Sequence, residues 1–449
     1  MKKLMIASDI HGSAYWCGRL LEAFSRENAD RLLLLGDILY HGPRNDLPEG
    51  YAPKAVIAQL NPLANRLFCV RGNCDAEVDQ MVLQFPVLAD YALVALEKRL
   101  VFLTHGHEDH TGTIPYLLKD LDRQVPIYAT KLTLGLIEGK LAEHRIKNAK
   151  LVEIKPGQQV KMGCFTTEFF AVNHSIPGAV GVFLQSPAGN VLHTGDFKLD
   201  TTPIDGAMMD IVRLGELGRE GVLMLLCEST NAERPGHTPS EKKVGASLEY
   251  IFSTHEKKRI IIATFSSNVH RVQQIIDTSA RHKRKVAITG RSMLNIVSAA
   301  MELGYMKVPA GVLVDINEIK RYKPSELTLI TTGSQGESMS ALYRMAFSDH
   351  AQVSLDSNDL VVLSASAIPG NEKDVGRIIN ELSAKDVEVL HDAVVEVHVS
   401  GHACQEELKL MQALTKPKYF MPIHGEARHL VANRDLARYM GMSDRNIFL

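Results

Sequence analysis

Three observations predict an α/β fold. Short apolar runs alternate with amphipathic stretches along all 449 residues, the pattern of layered strands and helices. Many of the apolar runs close on a polar residue able to bind a ligand. Hydrophobic residues make up 45%, charged residues 23% and aromatics 6% of the chain, as in ordinary soluble globular proteins. The length predicts roughly two to four domains with ample core.

In chain order, "KLMIAS", "RLLLLG", "RLFCVRG", "RLVFLTHG", "VPIYAT", "GVLMLLCES", "RIIIATFSS", "KVAITG", "LTLITTG", "LVVLSAS" and "KYFMPIHG" read as buried strands. "KLTLGLIEGKLAEH", "VHRVQQIIDTSARH" and "EKDVGRIINELSAK" read as helices, and "GVFLQSPAGNVLHTGD" as a hairpin turning at "PAGN". No internal repeat, low-complexity segment or long linker interrupts them. The net charge of −2 excludes nucleic-acid binding through bulk positive charge and leaves it to local grooves. The six cysteines (17, 69, 74, 164, 227 and 404) form no C-x-x-C pair, which argues against a disulfide framework or a cysteine zinc site and fits a reducing cytosol. Asp9 cuts short the apolar run of "MKKLMIASD", so it is no signal peptide, and no uncharged apolar stretch nears the ~20 residues of a membrane span. The expectation is a cytoplasmic protein without a membrane partner, with self-association left open.

The polar residues that close apolar runs are Asp9, Asp37, Asn73, His105, His174, Asp196, Glu228, Ser267, Ser364, His402 and His424. Any one of them can be a helix cap or turn residue. Eleven together point to a site at the carboxyl ends of strands, where α/β folds build sites. In the first hundred residues "SDIHG" supplies Asp9 and His11, "GDIL" supplies Asp37, and "RGNCD" supplies Asn73 with Asp75 beside it. Carboxylate, imidazole and amide donors of this kind suit Mn, Fe, Zn or Mg, and a carboxylate such as Asp37 can bridge two ions.

From Met1 through "RLVFLTHGH", including "DILYHGPRN" and "VRGNCDAEVDQM", the sequence resembles the calcineurin-like metallophosphoesterases, especially small bacterial phosphodiesterases. The resemblance makes His105 the next ligand. That family completes its site with a later G-H-x-H pair, absent here; the nearest look-alike is "GHTP" at Gly236 to Pro239.

Read forward, "LTHGHEDH" is an H-x-H-x-D-H motif: His105 and His107 in a tight loop, Asp109 and His110 opening a helix "TIPYLLKDL". One pair can grip one metal and the second pair its neighbour. His174 in "AVNHS" and Asp196 in "HTGD" follow 22 residues apart, as do His402 in "VSGHA" and His424 in "PIHGE". This text, with "ESTNAERPG", "TFSSNVHR", "TGSQGE", "IPGNE" and "VSGHACQEELKLM", resembles the β-CASP nucleases of the metallo-β-lactamase superfamily, and most of all the ribonuclease J family, from about residue 103 to residue 449.

The resemblance implies that His105, His107, Asp109, His110, His174, Asp196 and His424 hold two divalent ions, zinc above all, with manganese and magnesium as alternatives, and that Asp196 bridges them. It places Asp109, Glu228 and His402 in the catalytic machinery, with His402 near the scissile phosphate. It places substrate contacts on Ser267, Asn268 and Val269 and on His398, Val399, Ser400, Gly401 and His402. Two ions sharing a hydroxide would attack phosphorus in line, and His402 would stabilise charge or protonate the leaving oxygen. The basic stretches at 256–259 and 281–285 could guide RNA, but read more readily as solvated helix ends.

The implied fold is an αββα metallo-β-lactamase-like sandwich whose N-terminal half is metallophosphoesterase-like, with an inserted β-CASP domain. Its division is 1–102 phosphoesterase-like, 103–239 lactamase-like, 240–388 β-CASP and 389–449 returning to the lactamase-like part. By the resemblance, the strands that ribonuclease J places before H-x-H-x-D-H are replaced here, and a further domain would follow "NIFL". The expected function is metal-dependent hydrolysis of RNA, exo- or endonucleolytic. One alternative is a small-molecule phosphodiesterase using Asp9, His11, Asp37 and Asn73. The other is an inactive RNA- or metal-binding hybrid.

Overall fold

The computed structural model describes residues 4–41, 47–70, 75, 77–85, 87, 105–120, 124–147, 149–367, 370–392 and 394–449. Asn73, the side chain of Asp109 and the strand expected over residues 99–104 lie outside the described residues. The chain forms two compact units, Met1–Val101 and Phe102–Leu449.

In the first unit, strands β1 (Leu4–Ala7), β2 (Arg31–Leu34) and β3 (Leu67–Cys69) form a parallel sheet in that order. Parallel neighbours need crossovers. Helix α1 (Ala14–Arg26) connects β1 to β2, its first turn capped by the Ser13 hydroxyl, which accepts from Trp16 N at 3.1 Å. Helix α2 (Pro53–Leu60) lies between β2 and β3, with Pro53 at its first position. Helix α3 (Glu77–Gln80) is a single turn. Phe24, Leu32, Leu34, Val56, Leu60 and Phe85 fill this core.

The second unit begins with α4 (Glu108–Thr111) and α5 (Ile114–Asp120), where the sequence predicts one helix. Pro115 explains the break: it has no N–H for the Thr111 carbonyl, and its ring clashes with that carbonyl in a continuous helix. The chain turns instead, and Thr113 O accepts from Tyr116 N and Leu117 N at 3.1 Å each. Strand β4 (Pro126–Ala129), α6 (Lys131–Glu143) and β5 (Lys150–Glu153) make a small parallel βαβ unit.

Next come β6 (Gln159–Met162), β7 (Phe165–Ala171), β8 (Val180–Ser186), β9 (Gly189–His193), α7 (Ile211–Glu220) and β10 (Met224–Glu228). The hairpin between β8 and β9 turns where the sequence predicts, pairing Ser186 with Gly189.

A second αβ layer follows: α8 (Lys242–Thr254), β11 (Arg259–Ala263), α9 (Val269–Arg281), β12 (Lys285–Thr289), α10 (Arg291–Glu302), β13 (Leu313–Val314), β14 (Leu327–Thr331), α11 (Ala341–Ala346), β15 (Asp359–Leu363), α12 (Glu372–Ser383) and β16 (Glu388–His391). The chain ends in α13 (Gln405–Thr415), β17 (Tyr419–Ile423) and α14 (Ala427–Tyr439).

Strands β11 to β16 form a six-stranded, all-parallel sheet in the order β13-β12-β14-β11-β15-β16. Its apolar runs are unbroken because both faces are covered. Ile260, Ile262, Val286, Leu360 and Val362 pack into one cluster, while Ile261, Ala263, Ala287, Val361 and Leu363 pack into the other. The other large sheet has the order β17-β10-β9-β8-β7-β6; β6 to β9 are antiparallel, and β9, β10 and β17 run parallel. Phe170, Phe183, Leu192, Leu225 and Phe420 form the core of this layer with α7, α13 and α14. Among the described residues no helix is long and apolar enough to cross a membrane.

Candidate metal centre

Strand direction assembles the site. Strands β7, β9, β10 and β17 point the same way, so their carboxyl ends share one edge. His174 follows β7, Asp196 follows β9, Glu228 closes β10 and His424 follows β17. Glycine opens the way at two points. A Cβ on Gly195 (φ +62°) would meet Val180 O at 2.7 Å, and one on Gly106, between the two histidines, would meet Ile176 Cδ1 at 2.7 Å. Helix α4 folds His110 back over His107: His107 O accepts from His110 N at 3.2 Å and from the Thr111 hydroxyl at 2.9 Å. His402 is the exception to the strand-end rule. It lies in the irregular segment between β16 and α13, not at the end of a strand.

Two donor groups result. His107 Nδ1 lies 3.0 Å from His105 Nε2 and 3.1 Å from His174 Nε2. Asp196 Oδ2 lies 3.3 Å from His110 Nε2, 3.4 Å from His424 Nε2 and 3.7 Å from His105 Nε2. The donor atoms of His105, His107 and His174 fall within 4.8 Å of one another, as do those of His105, His110 and Asp196, and those of Asp196, Glu228, His402 and His424. Outer contacts orient these ligands. His174 Nδ1 donates to Gly401 O at 2.8 Å, and a Cβ on Gly401 would sit 2.7 Å from that nitrogen. His424 Nδ1 and the Thr230 hydroxyl are 2.9 Å apart. Buried Glu228 accepts from Phe197 N at 2.7 Å with one oxygen and meets His402 Nδ1 at 2.8 Å with the other.

The electrostatics suit cations. Burial, reinforced by His107, pushes His105 and His174 well below the usual imidazole range, so they are neutral and their lone pairs are available. Burial alone would raise Asp196, but the His110 hydrogen bond and the nearby His402 and His424 outweigh it and keep it a carboxylate. Imidazole nitrogens around a carboxylate are a donor set for first-row divalent ions.

Burial lowers His193 from 6.5 to about 4. A histidine held neutral contributes stability above its unfolded pKa that is lost as pH falls through its folded one. The urea midpoint of metal-free protein should therefore drop between pH 7 and pH 5, and equal midpoints would show that the buried histidines carry no such linkage.

The residues predicted to touch substrate are mostly occupied within the fold. Asn268 is buried and caps α9, accepting from Arg271 N at 3.0 Å. Val269 and Val399 pack in an apolar cluster. Ser267 sits in the turn before α9. Ser400 Oγ accepts from Asn231 Nδ2 at 2.8 Å and from His402 N at 3.2 Å. Burial, with Arg271 and Arg234, lowers His398 to about 3.

One structural carboxylate escaped the sequence reading, and a second, Asp75, was read only as a neighbour of Asn73. Glu407, 1% exposed, accepts from Leu199 N at 2.7 Å and from Thr238 N and Cys404 N at 2.8 Å, joining three loops around the site. Its one sequence signal is the spacing from Cys404, a capping-box pattern. Asp75 accepts from Asp37 N at 2.7 Å and Ile38 N at 2.8 Å. The basic stretches prove to be structural. Arg284 is buried and donates to the carbonyls of Lys258, Leu327, His255 and Glu256, and Arg281 and His282 pair with Glu249.

In the first unit His11 Nε2 lies 3.2 Å from Asp9 Oδ1 and 3.9 Å from Asp37 Oδ2. Asp9, His11 and Asp37 all adopt left-handed backbone, φ +58°, +48° and +54°, and so does His424 at +55°. Such conformations concentrate at functional sites.

Residues 75–246 match the family model of the beta-lactamase superfamily domain. Residues 257–382 match the ribonuclease J beta-CASP domain, and residues 386–447 the Zn-dependent metallo-hydrolase RNA specificity domain. Together these models describe a metallo-β-lactamase fold with a β-CASP domain. This fold, with the donor groups above, implies divalent metal ions. Residues 2–133 match the calcineurin-like phosphoesterases, so the two families overlap over residues 75–133, around His105 and His107.

The same part of the chain is similar to curated proteins over part of their length. Ribonuclease J of Helicobacter pylori is 44% identical over 353 residues, 78% of this chain and 50% of that protein. Ribonuclease J 1 of Streptococcus pyogenes is 45% identical over 368 residues, 81% of this chain and 65% of that protein. The chain thus spans about half to two thirds of the length of these relatives. A solved protein of unknown function from Enterococcus faecalis V583 covers 86% of each chain with a TM-score of 0.55 and 18% identity, a likeness of fold.

Proposed function

We propose that this chain is a metal-dependent phosphodiester hydrolase acting on RNA, of the ribonuclease J type. The observation that carries the reading is the pair of donor groups at one strand edge, one centred on His107 and one on Asp196 with His105 in reach of both, inside a β-CASP-bearing lactamase fold. In this reading His105, His107, Asp109, His110, His174, Asp196 and His424 hold two ions, zinc first, with manganese or magnesium as substitutes. Bound metal supplies Lewis acidity toward a phosphodiester and acidifies water. The protein's own part is to orient. Glu228 fixes His402, which moves a proton to the leaving oxygen, and Gly401 O holds the tautomer of His174. Ser267, Asn268, Val269 and the 398–402 loop line the path of the RNA, with the buried Asn268, Val269 and Val399 acting through their backbone. We assign 1–102, 103–239, 240–388 and 389–449 as the phosphoesterase-like, lactamase-like, β-CASP and returning parts, and the cytoplasm as the place of action.

The test is cleavage of single-stranded RNA by zinc- or manganese-loaded protein. A 5′-monophosphate should be preferred over a 5′-hydroxyl if Ser267 and the 398–402 loop provide a recess for it beside His402. Equal rates would remove the recess and leave endonuclease action.

A second reading is favoured by the Asp9, His11 and Asp37 cluster and its left-handed backbone: a small-molecule phosphodiesterase in the first unit. Turnover of a chromogenic phosphodiester that survives His107→Ala but not His11→Ala would select it. Metal binding without turnover of either substrate would select an inactive hybrid.

A further inference from the structure

Among the described residues Arg271 is the largest side chain with no exposure. A buried guanidinium is costly unless its donors are matched; Nε and Nη1 are matched, and Nη2 has no hydrogen-bond partner. Its partners come from three distant segments. Nε pairs with Glu241. Nη1 donates to Ser364 Oγ at 2.7 Å and to Val397 O at 2.8 Å, and Ser364 Oγ donates to the same Val397 carbonyl at 2.6 Å. Glu241 continues the chain of charges: its N–H meets Asp200 Oδ2 at 3.2 Å, and Lys198 Nζ lies 3.7 Å from that oxygen. Lys198 is two residues from Asp196 and hydrogen-bonds through its backbone to Asn173, the neighbour of His174.

The 398–402 loop is therefore fastened at two ends. Downstream, Asn231 and Thr238 hold His402 O at 3.0 and 2.6 Å, and His174 holds Gly401 O. Upstream, the double hydrogen bond on Val397 O is the fastening, made by Arg271 from helix α9 and by Ser364 just after β15.

We infer that Arg271, through Ser364, is a positioning residue that sets the 398–402 loop against the metal centre. It touches neither metal ligand nor substrate. Its effect passes through the loop that carries Gly401 and His402, and a small misplacement of such groups is costly in rate. Only the kinetic arm of the test rests on the ribonuclease reading.

The test uses the metal-loaded full chain with two variants. Arg271→Lys keeps the charge for Glu241 but cannot span Ser364 and Val397 together. Ser364→Ala removes one hydroxyl and leaves the ion pair, so it guards against loss of fold in the first. Both should keep their metal and raise amide hydrogen exchange in residues 398–402, by roughly fivefold for the loss of one hydrogen bond, without raising it in β11 and β14. RNA cleavage should fall about 10²-fold in Arg271→Lys and less in Ser364→Ala. Unchanged loop exchange, or exchange raised equally through β11, β14 and α9, overturns the inference. If the parent chain cleaves no RNA, the ribonuclease reading fails, and loop exchange still decides the role of Arg271.

Discussion

Replacing His402 by alanine should leave the bound metal in place and slow RNA cleavage on the order of 10²–10⁴-fold, the usual contribution of a positioned general acid. Elemental analysis alongside single-turnover kinetics measures both. The expectation rests on the pairing of His402 Nδ1 with Glu228 at 2.8 Å. A buried carboxylate there fixes both the ring and its proton. Glu228 is held in turn by Phe197 N, directly after Asp196, so its own position survives loss of the ring. His402 also lies within ligand distance of Asp196 and His424. Metal loss as severe as that of a ligand variant would therefore make it a ligand and remove the acid role.

Asp196→Asn should instead empty the centre, and this is the largest effect expected on metal content. Asp196 Oδ2 lies within 3.7 Å of three imidazole nitrogens, from His105, His110 and His424. A neutral amide offers two cations one weak oxygen donor and no charge. His107→Ala should act similarly on the imidazole group, where its Nδ1 sits between His105 and His174. Each variant should fall from about two ions per chain toward one or none, read by elemental analysis after zinc loading and gel filtration. Full metal retention in both would dismiss these residues as the ligand set. His11→Ala should change little at this centre.

The legible part of the chain was the part written in repeating pattern. The apolar run "RIIIATFSS" became a strand because burial on both faces demands unbroken hydrophobicity, and "KYFMPIHG" became an edge strand buried at every second residue. Histidines and aspartates just past those runs were legible as a site for the same reason. What escaped has no period. Glu407 and Arg271 do their work through several buried hydrogen bonds each, mostly to residues far away in sequence, and each looks like a surface residue until the partner segments are in place. Arg284 was hidden in a run of basic residues, yet it is the one that turns inward to four carbonyls. The split between α4 and α5 was written in Pro115 and overruled by an otherwise helical stretch. His402 sits after an apolar run that forms no strand, because "VEVHVS" is fastened through Val397 O to side chains instead of to a neighbouring strand.

The order in which the strands enter the two large sheets has a consequence for the birth of the protein. The all-parallel sheet is drawn entirely from residues 259–391, and its contacts can be made as soon as that stretch is available. The sheet that carries the metal edge cannot be completed so early. Strand β10 must wait for β17, nearly two hundred residues later, and His424 arrives only after β17. Domains settle N-terminal first during synthesis, and pairings between distant segments close last. On a translating ribosome the β-CASP layer thus consolidates while the centre still lacks a wall and a ligand. In the proposed ribonuclease reading, the chain stays harmless to the message that encodes it until β17 and His424 have emerged.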